Sequence, residues 1–169
     1  MTTARSWLAL DLATRAGWAF GAGDGRPFRF GTWVLPSGAR DPAETWAGLM
    51  EALTDIFAVM QPTDVVIEAP LLAQARNSSQ NTAVLLMGLA STARLFCYWR
   101  DIQPVLSRPG DVRKALCGNY YAKKPEIVSW CRARGYDVVD DNAADALLLL
   151  HHIIRPTASA WPISPKRRP

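Results

Sequence analysis

Short apolar runs and amphipathic stretches follow one another in an order that predicts a sheet begun early and helices added later. SWLALDL at 6–12 is apolar except for Asp11, and reads as a buried strand with one acid near its C-terminal end. Ala13 to Gly17 predict a turn. GWAFG and FRFGTWVL then predict two more strands, joined through GAGDGRP, so that the sheet starts antiparallel. From Asp41 to Met60 the chain opens with an acidic cap and Pro42, then repeats Trp46, Leu49, Leu53, Ile56 and Phe57 at helical spacing until Pro62 stops it. DVVIEAP at 64–70 repeats the pattern of the first strand, an apolar run ending in a single acid, Glu68.

Beyond it, LLAQARNSSQ is a polar loop containing Arg76, followed by a helix from Asn81 to Trp99 that is apolar almost all round. Such a helix suits burial within the domain or a surface shared with a second subunit, and Gly88, Ala90 and Ala93 let a neighbour come close. The chain continues with a short strand at Ile102–Leu106 and a helix at Arg108–Leu116 with Pro109 in its first turn. An exposed basic and aromatic loop at 118–123 precedes a helix at Lys124–Arg134. Tyr136–Val139 reads as a last short strand or extended segment, leading into DVVDDNAADALLLLHH, where an acidic cluster runs into an apolar helix. After Ile154 the composition turns to proline and cations, RPTASAWPISPKRRP, which predicts an extended tail. The expected organisation is one domain over 1–154 and a Pro-rich basic tail over 155–169.

Composition narrows the class. With 49% hydrophobic and 20% charged residues, a chain of 169 residues has enough apolar surface for one folded core. No apolar run reaches the ~18 residues of a membrane span, and the expected location is the cytoplasm of a bacterial or phage-infected cell, with no membrane partner. The net charge of +4 suits an anionic partner, and many of the cations lie between Arg94 and Arg134, with more in the tail. Cys97, Cys117 and Cys131 are widely spaced and form no CxxC pair, which argues against zinc. His151 and His152 end an apolar helix, where they fit a helix C-terminus better than a metal site.

The candidate chemistry is acidic. Asp11 and Glu68 end two buried strands, and Asp145 lies in the second turn of the last helix between Ala144 and Ala146, where a helix gains nothing from a carboxylate. Asp141 and Asp145 are four apart and Asn142 and Asp145 three apart, so their oxygens share a helix face. Asp140 or Asp141 also suits a helix cap. If the two strands are neighbours, Asp11 and Glu68 stand side by side and the last helix brings Asp145 to them. Such oxygen donors suit Mg²⁺, with Mn²⁺ able to substitute. A pair of such ions activates water for in-line phosphodiester hydrolysis.

LALDLATRAGWA, DVVIEAP and NAADALLLLHH, in this order, resemble the RuvC-like Holliday junction resolvases, notably their bacteriophage-type members, within the ribonuclease H-like superfamily. The resemblance spans residues 7 to about 152. It implies an α/β fold with a mixed five-stranded sheet flanked by helices. It also implies a homodimer, possible through helix 81–99, and symmetrical Mg²⁺-dependent nicking of four-way or branched DNA. Carried over residue by residue, Asp11, Glu68 and Asp145 match the family's acids. The fourth donor is Asp141 or Asn142, and Asp141 is the expectation. Lys123 or Lys124 matches the lysine beside the metals, and Arg76, Arg108, Arg113, Lys114, Tyr120, Tyr121, Lys123 and Lys124 supply the expected DNA contacts. Where bacterial members carry an aromatic three residues after the glutamate, this chain has Leu71. Two other readings compete: a different ribonuclease H-like nuclease, and a junction-binding protein that does not cleave.

Overall fold

The computed structural model describes residues 5–24, 26–37, 41–70 and 79–154; Leu71, Arg76 and the expected tail lie outside these. Five strands, β1 (Ser6–Asp11), β2 (Arg15–Ala22), β3 (Arg29–Val34), β4 (Asp64–Glu68) and β5 (Val105–Ser107), form one sheet in the order β3-β2-β1-β4-β5. β1 pairs antiparallel with β2 and β2 with β3, whereas β1–β4 and β4–β5 are parallel. The helices are α1 (Ala43–Met60), α2 (Gln80–Tyr98), α3 (Pro109–Cys117), α4 (Lys124–Arg132) and α5 (Asp141–Ile154). The mixed five-stranded sheet and its antiparallel start match the expectation.

Strand alternation sorts the side chains into two cores. Leu8, Leu10, Val65 and Ile67 face α1 and α2, where they meet Leu49, Leu53, Phe57, Leu89 and Phe96. Ala9 and Val66, one residue out of phase, face the other way into a core completed by Val112, Ile127, Val138 and Leu147 to Leu150. Small residues on β1 and β2, Ala9 and Ala19, let α5 lie close on the sheet, and eight consecutive residues of that helix, Ala143 to Leu150, are buried.

Local chemistry sets the element ends. The Asp41 carboxylate accepts a hydrogen bond from Ala43 N–H at 2.9 Å at the start of α1, and Gln61 closes that helix in the left-handed region at φ 49° before Pro62. α1 and α2 touch at Gly88, where an added Cβ would lie 2.1 Å from the Trp46 ring. The Trp46 indole N–H donates to the Leu85 carbonyl at 3.2 Å.

One turn differs from the sequence reading, and one segment it left open is decided. The turn after β1 is shorter than 13–17, because Arg15, Ala16 and Gly17 already belong to β2, and Gly17 pairs with Asp11. Of the two alternatives for Tyr136–Val139, a short strand or an extended segment, the structure shows the extended segment. It follows α4 as extended chain and buries Val138 in the α5-side core, while Arg132 donates to the Val138 carbonyl at 3.4 Å. His151 closes an aromatic cluster: its Nε2 is 2.9 Å from the Tyr136 hydroxyl, with Phe28 and Trp130 edge-on to its ring.

Candidate active site

Strand register builds the first wall of the site. In the parallel β1–β4 ladder Ala9 stands beside Val66 and Leu10 beside Ile67, so the next step sets Asp11 level with Glu68. Alternation turns both acids to the face that α5 covers. There they line a cleft of about 270 Å³ together with Asp145, Asn142, Arg113 and Lys124, and Leu86, Met87 and Ala90 of α2 form part of its apolar side.

The second wall depends on where α5 begins, and Asp140 fixes that. Its carboxylate accepts from Ala143 N–H at 2.9 Å, the Thr32 hydroxyl at 2.7 Å and the Arg15 guanidinium at 3.3 Å, tying the helix start to β2 and β3. Burial raises the pKa of Asp140, but these donors outweigh it and the net shift is downward. Gly17 lets the helix settle this low: a Cβ there would stand 2.0 Å from the Asn142 carbonyl oxygen. Gly17→Ala is therefore expected to lift α5 from β2, costing about 1–3 kcal/mol in overpacking. Chemical denaturation would read this as a lower midpoint at an unchanged slope.

The electrostatics of the cleft are those of crowded carboxylates. Burial, then the charge of Asp145, raises Asp11 to about 7. Burial, then Asp11 and Asp145, raises Glu68 to about 8. Asp145, 7% exposed, is also raised by burial, against the pull of Arg113 at 3.6 Å. Both Asp11 and Glu68 keep part of their surface open to the cleft, although protein atoms surround them on most sides. Arg113 and Lys124 offset this repulsion only in part.

Asp141 behaves differently. Its carboxylate pairs with the Lys124 ammonium, and this hydrogen bond, ahead of burial, holds its pKa below the usual carboxylate value and raises that of Lys124. Asn142, one residue on, lines the cleft. Of the two candidate lysines, Lys124 lines the cleft, whereas Lys123 is exposed and its backbone N–H donates to the Glu126 carboxylate at 2.6 Å, starting α4. Arg108, Lys114, Tyr120 and Tyr121 are exposed on and between α3 and α4, and Arg113 is drawn inward to Asp145. The brace at Asp140, the close approach at Gly17 and the Arg113–Asp145 pair were absent from the sequence reading, because each is a long-range contact.

The donor set fits a hard divalent cation: carboxylate and amide oxygens, crowded enough that the excess negative charge is unbalanced by protein cations. Among the described residues no three acidic, histidine or cysteine side chains stand grouped for one ion; Asp145 lies 3.6 Å from Arg113 and Asp141 pairs with Lys124, so the cleft acids would have to draw together around a cation.

Comparison with solved structures decides the fold. The chain superposes on Thermus thermophilus RuvC with a TM-score of 0.66 at 17% identity, covering 87% of this chain and 92% of that one. On T. thermophilus RuvC in complex with Holliday junction substrate the score is 0.71 at 17% identity, covering 88% and 92%. The fold is that of the RuvC-like resolvases. The yeast mitochondrial Holliday junction resolvase Ydc2 shares this RuvC-like fold, with a TM-score of 0.63 at 10% identity over 88% of this chain and 77% of that one. The sequence matches no protein-family model and no curated protein. Among the described residues, no helix is long and apolar enough to cross a membrane.

Proposed function

We propose that the protein is a structure-selective endonuclease that resolves Holliday junctions or other branched DNA by symmetrical, Mg²⁺-dependent phosphodiester hydrolysis, with Mn²⁺ able to substitute. The observation that carries this reading is one cleft, in a RuvC-like fold, lined by Asp11 and Glu68 from the ends of two adjacent parallel strands and by the buried Asp145 of α5. Asp11, Glu68 and Asp145 would hold the metal, and we take Asn142 as the fourth oxygen donor in place of Asp141, since Asn142 lines the cleft and Asp141 is engaged by Lys124. Bound there, a divalent cation supplies Lewis-acid charge for attack of water on a phosphodiester. Lys124, held at the cleft by Asp141, meets the charge that develops on the phosphate. Arg113, 3.6 Å from Asp145, orients that carboxylate toward the cleft and offsets its charge. Arg108, Lys114 and Lys123 bind backbone phosphates, so affinity should fall steeply with salt. The test is cleavage of a four-way junction beside a linear duplex and an RNA–DNA hybrid of equal length; preference for the hybrid would instead indicate a ribonuclease H.

Symmetrical cutting needs two sites related by a two-fold axis. The reading therefore includes a homodimer, and α2 offers a surface for it. One face of α2 buries Leu89, Ala93 and Phe96, while Val84 (46% exposed), Met87 (45%), Leu95 (45%) and Tyr98 (75%) line the opposite face at helical spacing. Leu95→Glu should convert a dimer into a monomer on light scattering and remove paired nicking while leaving the fold intact. A wild-type monomer at micromolar concentration would end the dimer proposal.

A further inference from the structure

We propose that the turn between α3 and α4 presents Tyr121 as a stacking platform for an unpaired nucleobase of branched DNA. This rests on the reading above that nucleic acid is the partner, and it adds a recognition element that tells an unstacked base from a base inside a duplex.

Tyr121 is 81% exposed, so its ring is open to a ligand. Its backbone is nonetheless tied into a hydrogen-bonded turn. Ala122 N–H donates to the Asn119 carbonyl at 3.2 Å, closing a turn with both tyrosines at its tip, and Tyr121 N–H donates to the Asn119 side-chain oxygen at 3.0 Å. Ala122 then anchors the turn in the protein at 1% exposure.

Tyr120 acts as the pedestal. Its ring lies over Gly110 in the first turn of α3, so close that a Cβ on Gly110 would fall 2.1 Å from it. Tyr121 meets Tyr120 edge-on, with centroids 5.1 Å apart and planes at 71°. This contact leaves most of the outer ring's surface open.

The surroundings select a polyanion with planar groups over an apolar protein partner. Lys123 and Lys124 follow the tip directly, Lys114 is exposed on α3, and Lys124 lines the acidic cleft. A base laid on Tyr121 thus has cations beside it for its own phosphates, the combination that single-stranded nucleic acid uses. A base paired in a continuous duplex would first have to leave its stack, so the platform favours branch points and single-stranded gaps.

The test uses the full chain in EDTA, with a fluorescent adenine analogue placed at the branch point of a four-way junction or within an uninterrupted duplex. Stacking on Tyr121 should quench the analogue in the junction and leave the duplex unchanged. Tyr121→Phe should keep the quench. Tyr121→Leu should lose it and weaken junction binding by about fivefold to a hundredfold. Gly110→Ala, which displaces the pedestal, should also lose the quench, with circular dichroism reporting that the variant has folded. A quench unchanged in Tyr121→Leu, equal quenching in the duplex, or no DNA binding at all would overturn the proposal. Nicking in Mg²⁺ is scored separately: a protein that stacks without ever nicking refutes the nuclease reading alone, and one that nicks without a Tyr121-dependent quench refutes this inference alone.

Discussion

Asp11→Asn, Glu68→Gln and Asp145→Asn are each expected to lower junction nicking by at least about a hundredfold while leaving junction binding in EDTA largely intact. The three acids share one cleft, so each substitution removes one anionic donor without emptying the cleft of atoms. Fold integrity should survive, because each replacement is isosteric and relieves the burial of charge and the carboxylate repulsion that together raise Asp11 and Glu68 to about 7 and about 8. The neighbouring positions should separate by readout. Asn142→Asp should tighten Mn²⁺ binding measured by calorimetry, since it adds a charge at a cleft position. Asp141→Asn should leave that affinity little changed and lower the rate by about tenfold, because it frees Lys124 instead of removing a donor. Wild-type nicking by any of the first three variants would remove that residue from the site.

The second large effect concerns pH. Asp11 and Glu68 have folded pKa values of about 7 and about 8, above the 3.8 and 4.5 they would have in the open chain. A raised value means that the folded protein holds these protons more tightly than the unfolded one. The stability this contributes is complete below about pH 4, and it is lost as pH rises through 7 and 8. Without metal, the melting temperature should therefore fall between pH 5 and pH 8, by about 3 °C or more. A divalent cation must displace the same protons, so its affinity should climb over this window, on the order of a hundredfold between pH 6 and pH 8. Glu68→Gln should flatten both trends. Calorimetric titrations in buffers of different ionisation enthalpy would count the protons released, and a count of zero at pH 6 would contradict this account.

Much of the site was legible in the sequence because its acids break local rules. Asp11 and Glu68 end apolar strands, and Asp145 lies among alanines in a buried helix, where a carboxylate has no structural use. The sequence also placed Asp11 and Glu68 side by side on the condition that their strands are neighbours, and β1 and β4 do pair. What periodicity does not carry is the rotation of α5 about its own axis. That rotation is set by Asp140 bridging Thr32 and Arg15, residues more than a hundred positions away, and by the space that Gly17 leaves under Asn142. The choice between Asp141 and Asn142 turns on this contact. For the same reason Arg113 read as a surface cation, although it folds inward to Asp145. Tyr136–Val139 has the composition of a strand and no ladder to join, because the extended chain there is spent on burying Val138 beneath the helices.

The central claim is that this carboxylate cleft cuts branched DNA, and the most direct measurement is a nicking assay on a four-way junction with each strand end-labelled in turn. With Mg²⁺ the account predicts paired nicks at symmetry-related positions on opposing strands, none in EDTA, and none with Asp11→Asn. A junction that is bound but stays intact in both Mg²⁺ and Mn²⁺ would contradict it and leave a protein that recognises branched DNA without cutting it.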